Sequence, residues 1–356
     1  MKRIIRYIVG LIFIASGFVK TIDPKGFSFK LEEYFSPEVF NLPFLEKYVL
    51  PMAIFVSVLE VILGLMLLMK IQFKKTLLAL IALCVFFAFL TFYSAYFNVV
   101  TDCGCFGDAI KLEPWQSFWK DIILLVALVY LWKKNKNRTN HSFFTFFKLP
   151  ILMVGILATA YIVYYGIQHE PLIDFRDYKI GTDLLAEKKK LADDPSVYKT
   201  FYVLKNTQTN TEKEIDQDEY INNEEYWKEG SSWEIQDDKT TSKLIKQGYK
   251  SDIAKFNLVN DDGEDKTMEI LNLPKVYLVC SYKNNIDVLA KTACSKFQNG
   301  EQVYGVTSDE TGFYKLPHLI MDATAIKTIA RSNPFVLVLE KGKIIDKKAF
   351  EDFKID

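Results

Sequence analysis

Thr76–Val100 (TLLALIALCVFFAFLTFYSAYFNVV) is the longest charge-free apolar run of the chain, and Asp102–Asp108 (DCGCFGD) follows it almost at once. A helix needs about 20 apolar residues to cross the hydrocarbon core of a bilayer. Cys103 and Cys105 therefore fall where a membrane helix meets water. Residues at i and i+2 have Cα atoms roughly 5.5–7 Å apart, which overlaps the disulfide window. The ring such a pair closes is small and strained, and strained disulfides are the labile, oxidising ones. Gly104 between them tolerates unusual backbone angles. Thiol–disulfide chemistry at a membrane surface is the leading reading. A structural staple and metal capture with Asp102 or Asp108 stay open beside it. Zinc favours four ligands and paired CxxC spacing, and the sequence has no second such pair and no histidine cluster.

Four more apolar segments flank this one, at Tyr7–Val19, Val49–Met69, Ile122–Trp132 and Leu149–Ile167. The first is short and extends back past Arg6. The fourth in chain order starts near Trp115, with Lys120 and Asp121 at the interface. Lys2, Arg3, Arg6, Lys70, Lys74, Lys75, Lys133, Lys134, Lys136, Arg138 and Lys148 lie in alternate connections that hold no acid. Excess Lys and Arg mark the cytoplasmic side. The other two loops, Lys20–Tyr48 and Thr101–Asp121, hold six basic and nine acidic residues. The expectation is five spans in a bacterial inner membrane, with the N-terminus cytoplasmic. The CGC loop and everything after Ile167 are then periplasmic. A cleaved signal peptide is the rival reading of the first segment, since a basic start, an apolar run and Ala15-Ser16-Gly17 suit one. The formal net charge is zero, which gives no bulk attraction to nucleic acid.

The remainder is an acidic globular part. Leu31–Pro43 reads either as a surface helix on the bilayer or as a packed loop. Lys199–Thr207 has strand composition, and residues 192–270 are otherwise mixed. The last eighty residues are clearer. Lys275–Cys280 and Gln302–Thr307 read as strands, Asn285–Phe297 and Ala323–Arg331 as helices. Pro334–Glu340 and Lys343–Ile345 flank a Lys341-Gly342 turn as a hairpin. This β-α-β-α-β-β order, with a proline opening the third strand, is the thioredoxin arrangement. The expected fold is thus an α-helical membrane bundle, four helices plus a fifth linking span, followed by an α/β thioredoxin-like extracytoplasmic domain. The divisions are 1–135 for the bundle, 136–180 for the fifth helix and linker, 181–270 for a mixed α/β segment and 271–356 for the thioredoxin-like core.

Glu60 stands out as the only ionisable residue deep in a long span. A carboxyl there is costly in lipid and should face the bundle interior, as a proton relay, a quinone-pocket acid or a packing residue. Phe106, Trp115, Phe118 and Trp119 form either an interfacial aromatic belt or one wall of a quinone pocket. Cys84 lies 19 residues before Cys103, and helix rise puts it about 28 Å away. That makes it a packing residue. Cys280 and Cys294 are expected to be buried or free. Of the two, Cys280 at a strand end is the better placed to resolve a Cys103–Cys105 disulfide.

The first 135 residues resemble the DoxX and MauE-like membrane proteins. Gly10–Lys20 (GLIFIASGFVK) followed by Asp23-Pro24, Glu60 with Gly64, and Cys103–Gly107 (CGCFG) carry the resemblance. The tail is similar to that of Bacteroidetes-type members, where a thioredoxin-like domain has a run like Arg331-Ser332-Asn333-Pro334 before the hairpin. MauE-type proteins are associated with disulfide formation in a periplasmic dehydrogenase subunit, and vitamin K epoxide reductase and DsbB types are architectural analogues. The resemblance implies that Pro334 sits at the cis-proline position that helps bind extended peptides. One departure stands out. A redox-active thioredoxin fold has CxxC after its first strand, and here that region is Cys280-Ser281-Tyr282-Lys283.

Two functions follow. One is a membrane thiol–disulfide oxidoreductase, with Cys103 and Cys105 passing electrons between periplasmic protein dithiols and a membrane quinone. Glu60, Phe106, Trp115 and Trp119 would hold the quinone, and Cys280 and Pro334 would meet the substrate. The partners are lipid, quinone, and a cysteine-containing client or a separate thioredoxin-like protein. The other is a non-catalytic assembly protein holding client peptides with a degenerate thioredoxin-like domain. The edge formed by Cys280–Asn285 and Ser332–Pro334 is expected to pack over the bundle near Cys103–Gly107, shielding the disulfide and guiding client cysteines to it; an edge turned away would favour the second reading.

Overall fold

The computed structural model describes residues 1–100, 104–134, 145–282, 297, 302–308 and 316–354. Its first part contains α1 (Lys2–Ile22), α2 (Pro24–Phe35), α3 (Val49–Met69), α4 (Phe73–Phe97), α5 (Pro114–Lys133) and α6 (Thr145–Gln168). Four segments are long and apolar enough to cross a membrane: Lys2–Ile22, Pro43–Met69, Phe73–Phe97 and Phe147–Gln168. Helix α5 has the length but is interrupted by Lys120 and Asp121, and it turns Asp121 inward, 3% exposed.

Close helix approach explains part of the sequence. A Cβ on Gly17 would come within 2.8 Å of the Ser57 carbonyl and of Glu60 Cβ. The glycine therefore lets α1 lie directly on α3 at the level of Glu60. Gly10 and Gly64 meet at the same interface. Helix α4 packs along α5, and α6 lies at the rim against α3 and α1. The expected first span, Tyr7–Val19, is longer as a helix because Arg6 is buried and Lys20 turns inward.

Helix α2 is the short element between the first two spans. Asp23 caps it by accepting from the Gly26 N–H at 2.8 Å, and Pro24 sits in its first turn, where a missing N–H costs nothing. Phe27, Leu31 and Tyr34 are buried against the bundle. The segment is thus a helix packed on protein, with the Tyr34 hydroxyl accepting from Ser94 at 2.9 Å.

In the tail, α7 (Leu184–Asp193) precedes a four-stranded antiparallel sheet. Its long central strand β1 (Val197–Asn206) pairs with β2 (Glu212–Asp216) on one side. On the other it pairs with β3 (Trp233–Ile235) near one end and β4 (Thr241–Lys246) near the other. The second sheet has the order β7-β6-β5-β8-β9. These are β5 (Val276–Ser281), β6 (Val303–Thr307), β7 (His318–Ile320), β8 (Phe335–Glu340) and β9 (Lys343–Ala349). Strands β5, β6 and β7 run parallel, and β8 and β9 run antiparallel to their neighbours. Strand β5 is buried along its whole length, as its uninterrupted apolar run requires. The helix before β8 is Ala323–Ile329, capped by Asp322. The strands at 276–281, 303–307, 335–340 and 343–349 and the helix at Ala323–Ile329 fall where the sequence reading puts them, and β7 is an addition. The helix expected at Asn285–Phe297 lies outside the described residues except for Phe297.

Candidate functional site

Helix α4 ends where Asn98 takes a left-handed conformation, φ 53°. The chain then folds back onto the bundle instead of leaving it. Gly104 and Gly107 both have positive φ, 63° and 49°, and a Cβ on Gly104 would press on Lys30 of α2 at 3.1 Å. The glycines of the CGCFG run are therefore what let it turn beneath α2. Cys105 ends up buried, 4% exposed, and its carbonyl accepts from the Ser16 hydroxyl at 2.8 Å. Cys103 lies outside the described residues.

Cys105 sits at one end of a buried set of charges. The Lys120 ammonium hydrogen-bonds to the Cys105 sulfur, pairs with Asp121 at 2.9 Å and stands 5.2 Å above the Phe106 ring. Asp121 meets Thr91 of α4 at 3.5 Å. Lys20 and Glu60 pair at 2.6 Å with both side chains 1% exposed. Lys20 also donates to Ser16 at 3.2 Å and lies 4.6 Å from the Phe87 ring centre. One Glu60 oxygen, Oε2, has no hydrogen-bond partner among the described residues. Ser16, Lys20, Glu60, Cys84, Cys105, Lys120 and Asp121 line one internal space, about the size of a single water molecule.

This placement corrects the sequence reading in three respects. Glu60 is not the only ionisable group within the helices: Lys20 and Asp121 are buried with it. Cys84 lines the same space as Cys105, because the chain leaves α4 at Asn98 and turns back. The four residues expected around a quinone do not converge. Phe106 lies over Lys120, whereas Trp115 and Trp119 are 47% and 59% exposed on the outer surface of α5. Those two tryptophans pack on Phe118, and Trp115 also meets Phe92 edge-on.

The tail covers the end of the bundle that carries the CGC loop. The Arg331 guanidinium pairs with Asp23 at 2.7 Å and with Asp108 of the CGC loop at 2.5 Å, and its side chain is 5% exposed. Arg331 also donates to the Lys327 carbonyl. Tyr282 meets Phe29 of α2 edge-on at 6.3 Å, and Lys327 pairs with Glu32 at 3.6 Å. Lys111 reaches Asp252 at 2.7 Å from the other side of the loop. Glu170, just past α6, accepts from the backbone N–H groups of Arg331 at 2.9 Å and Ser332 at 2.6 Å, and from the Ser332 hydroxyl.

A second buried network secures this joint. Arg176 donates to Asp174 at 2.7 Å and Glu170 at 2.9 Å. Lys347 donates to Asp174 at 2.5 Å and to the Tyr178 and Ile329 carbonyls at 2.6 and 2.8 Å. Burial pushes the carboxyls of Glu170 and Asp174 up, but Arg176 and Lys347 outweigh it and hold both below the usual carboxylate range. Burial and the nearby Arg176 push Lys347 down to about 8, against the pull of the two acids.

Cys280 is fully buried in the core between the sheet and its helices, and burial pushes its thiol up. The Asn333–Pro334 peptide bond is cis, and Asn333 Oδ1 accepts from the Tyr282 N–H at 3.0 Å. Cys294 and residues 283–285 lie outside the described residues.

The CGC loop, the glycine-lined α1–α3 crossing and Glu60 all fall in the stretch that matches a known family. Residues 1–133 match the family model for methylamine utilisation protein MauE. The match covers the bundle through α5 and ends before α6, so the tail lies outside it. No curated protein and no solved structure matches the chain. The MauE-like part, with its apolar helices, makes this a membrane protein. Lys20, Lys120, Asp121 and Arg331 are the site residues that the sequence reading did not single out.

Proposed function

We propose that the protein is a membrane thiol–disulfide oxidoreductase whose working group is the Cys103–Cys105 pair. The observation that carries the reading is the placement of Cys105 inside the MauE-like bundle, against the Lys120 ammonium, under a tail anchored to the same loop. The thiolate is the reactive form of cysteine, and a neighbouring cation stabilises it. A client dithiol attacks the Cys103–Cys105 disulfide. One client–Cys103 bond forms and the electron pair of the broken S–S bond stays on Cys105. The second client thiol then displaces Cys103, so the client leaves as a disulfide and both protein cysteines are reduced. A membrane quinone takes up the two electrons and two protons and regenerates the disulfide. The internal space is too small for a quinone ring. We place its approach on the exposed aromatic surface of Trp115, Phe118 and Trp119, next to Phe106 and Lys120. By the distribution of basic residues, the loop and tail face the periplasm and the N-terminus the cytoplasm.

The competing reading is a binding protein whose thioredoxin-like tail holds client peptides. It is favoured by the fully buried Cys280, which leaves that strand end without an accessible dithiol. Against it, the backbone N–H groups of Arg331 and Ser332, on the edge a peptide would use, are already bonded to Glu170. Quinone reduction by the purified protein with a reduced dithiol separates the two. The oxidoreductase reading requires turnover that Cys105→Ser abolishes. Absence of turnover with every quinone tried, in protein whose loop cysteines stay oxidised, supports the binding reading.

A further inference from the structure

We propose that one buried water joins Glu60 to the Cys105–Lys120 pair, and that Glu60 is the proton acceptor and donor for the Cys105 sulfur. The inference deepens the oxidoreductase reading and rests on it. Glu60 Oε1 is taken by Lys20 at 2.6 Å, but Oε2 has no partner among the described residues and the side chain is 1% exposed. A buried carboxylate oxygen without a donor is costly, and a water with two to four polar neighbours is the usual remedy. The space that Glu60 lines is the right size for one, and it is bounded by Ser16, Lys20, Cys105, Lys120 and Asp121.

The charged and titratable groups around Cys105 divide by helix. Helix α1 contributes Lys20, α3 Glu60, α4 the Cys84 thiol, and α5 Lys120 and Asp121. Lys120 is committed to Asp121 and the Cys105 sulfur, and Asp121 also faces Thr91. Glu60 Oε2 is therefore the carboxylate oxygen on this space left to accept a proton. When the Cys105 thiol is activated, its proton passes through the water to Oε2, leaving a thiolate beside the Lys120 ammonium. When the Cys103–Cys105 bond is broken and its electron pair comes to rest on Cys105, the same proton returns. No electron passes through Glu60, and Lys20 keeps its charge in both states.

The test is the pH dependence of Cys105 alkylation by a small neutral thiol reagent. It uses reduced full-length protein in lipid nanodiscs, with the Cys105 peptide followed by mass spectrometry. Glu60→Gln should slow alkylation about tenfold or more near neutral pH and move its midpoint to higher pH. Lys120→Met should do the same, and Lys120→Arg should restore the rate. If Glu60→Gln does not fold, the charge-balanced Lys20→Met/Glu60→Gln pair decides, with the same shift expected. Coincident profiles for the parent and the folded Glu60 variant overturn the proton role. A parent protein whose loop cysteines do not respond to added dithiol instead overturns the oxidoreductase reading, whatever the profile of the variant.

Discussion

Arg331 of the tail and Asp108 of the CGC loop, 223 residues apart in sequence, form a 2.5 Å ion pair where the tail covers the bundle. The same guanidinium holds Asp23 at the α1–α2 junction. One side chain thus ties the tail to the entry of α2 and to the loop carrying the cysteines. Removing one partner from a buried ion pair costs about 3–5 kcal/mol. Arg331→Ala should therefore loosen the tail from the loop and speed Cys105 alkylation, while Lys246→Ala on the exposed face of the distal sheet should leave it unchanged. An unchanged Cys105 rate in Arg331→Ala would mean that the tail does not guard the loop.

Lys20 and Glu60 should behave as a coupled pair. Lys20→Met leaves a buried carboxylate without its cation and should destabilise the bundle by about 3–5 kcal/mol. Lys20→Met/Glu60→Leu removes both charges and should recover most of that loss, since well-packed apolar residues replace buried pairs at little cost. Thermal unfolding of the parent, these two variants and Glu60→Leu alone in detergent gives the coupling. Additive losses would show that the two side chains do not depend on each other.

The Lys347 network predicts two pH windows. The folded protein holds Lys347 near 8, below its ordinary value of 10.5. Between those values the unfolded chain binds the extra proton, so stability rises with pH across that window. Lys347→Met should remove the rise. Glu170 and Asp174 are held below their ordinary values of 4.5 and 3.8. Their contribution is present above those values and is lost as pH falls through the lower folded ones. Full-chain unfolding followed from pH 3 to 11 reads both windows, and a flat response between 8 and 10.5 would contradict the Lys347 assignment.

Orientation has its own test. Labelling of single cysteines introduced at residues 72 and 200 should reach position 72 only from the cytoplasmic side and position 200 only from the periplasmic side. Residue 200 labelled from the cytoplasm would put the tail and the loop inside. It would invert the whole bundle, with position 72 then labelled from the periplasmic side.

Much of the architecture was legible because it depends on local pattern. The apolar runs give the helices of the bundle, and the β-branched runs at 275–280 and 334–340 give strands of the second sheet. The site was harder to read because depth depends on partners distant in sequence. Lys20 ends an apolar run and looks like a boundary charge; only Glu60, one helix away, makes it a buried residue. The 28 Å inferred between Cys84 and Cys103 follows helix rise alone; the helix ends at Asn98, and Cys105 lines the same space as Cys84. Arg331 looked like part of a pre-hairpin motif, and its carboxylate partners come from two loops of the other half. Strand β7 has three residues and no pattern of its own; it is held by pairing with β6 and a bridge from Val259.

The most direct test is the redox state of Cys103 and Cys105 in native membranes, trapped by alkylation before and after a reduced client-like dithiol is added. The account predicts a Cys103–Cys105 disulfide at rest that opens on addition of the dithiol and re-forms when an oxidised quinone is supplied. Two cysteines that stay in one state through all three conditions would contradict it.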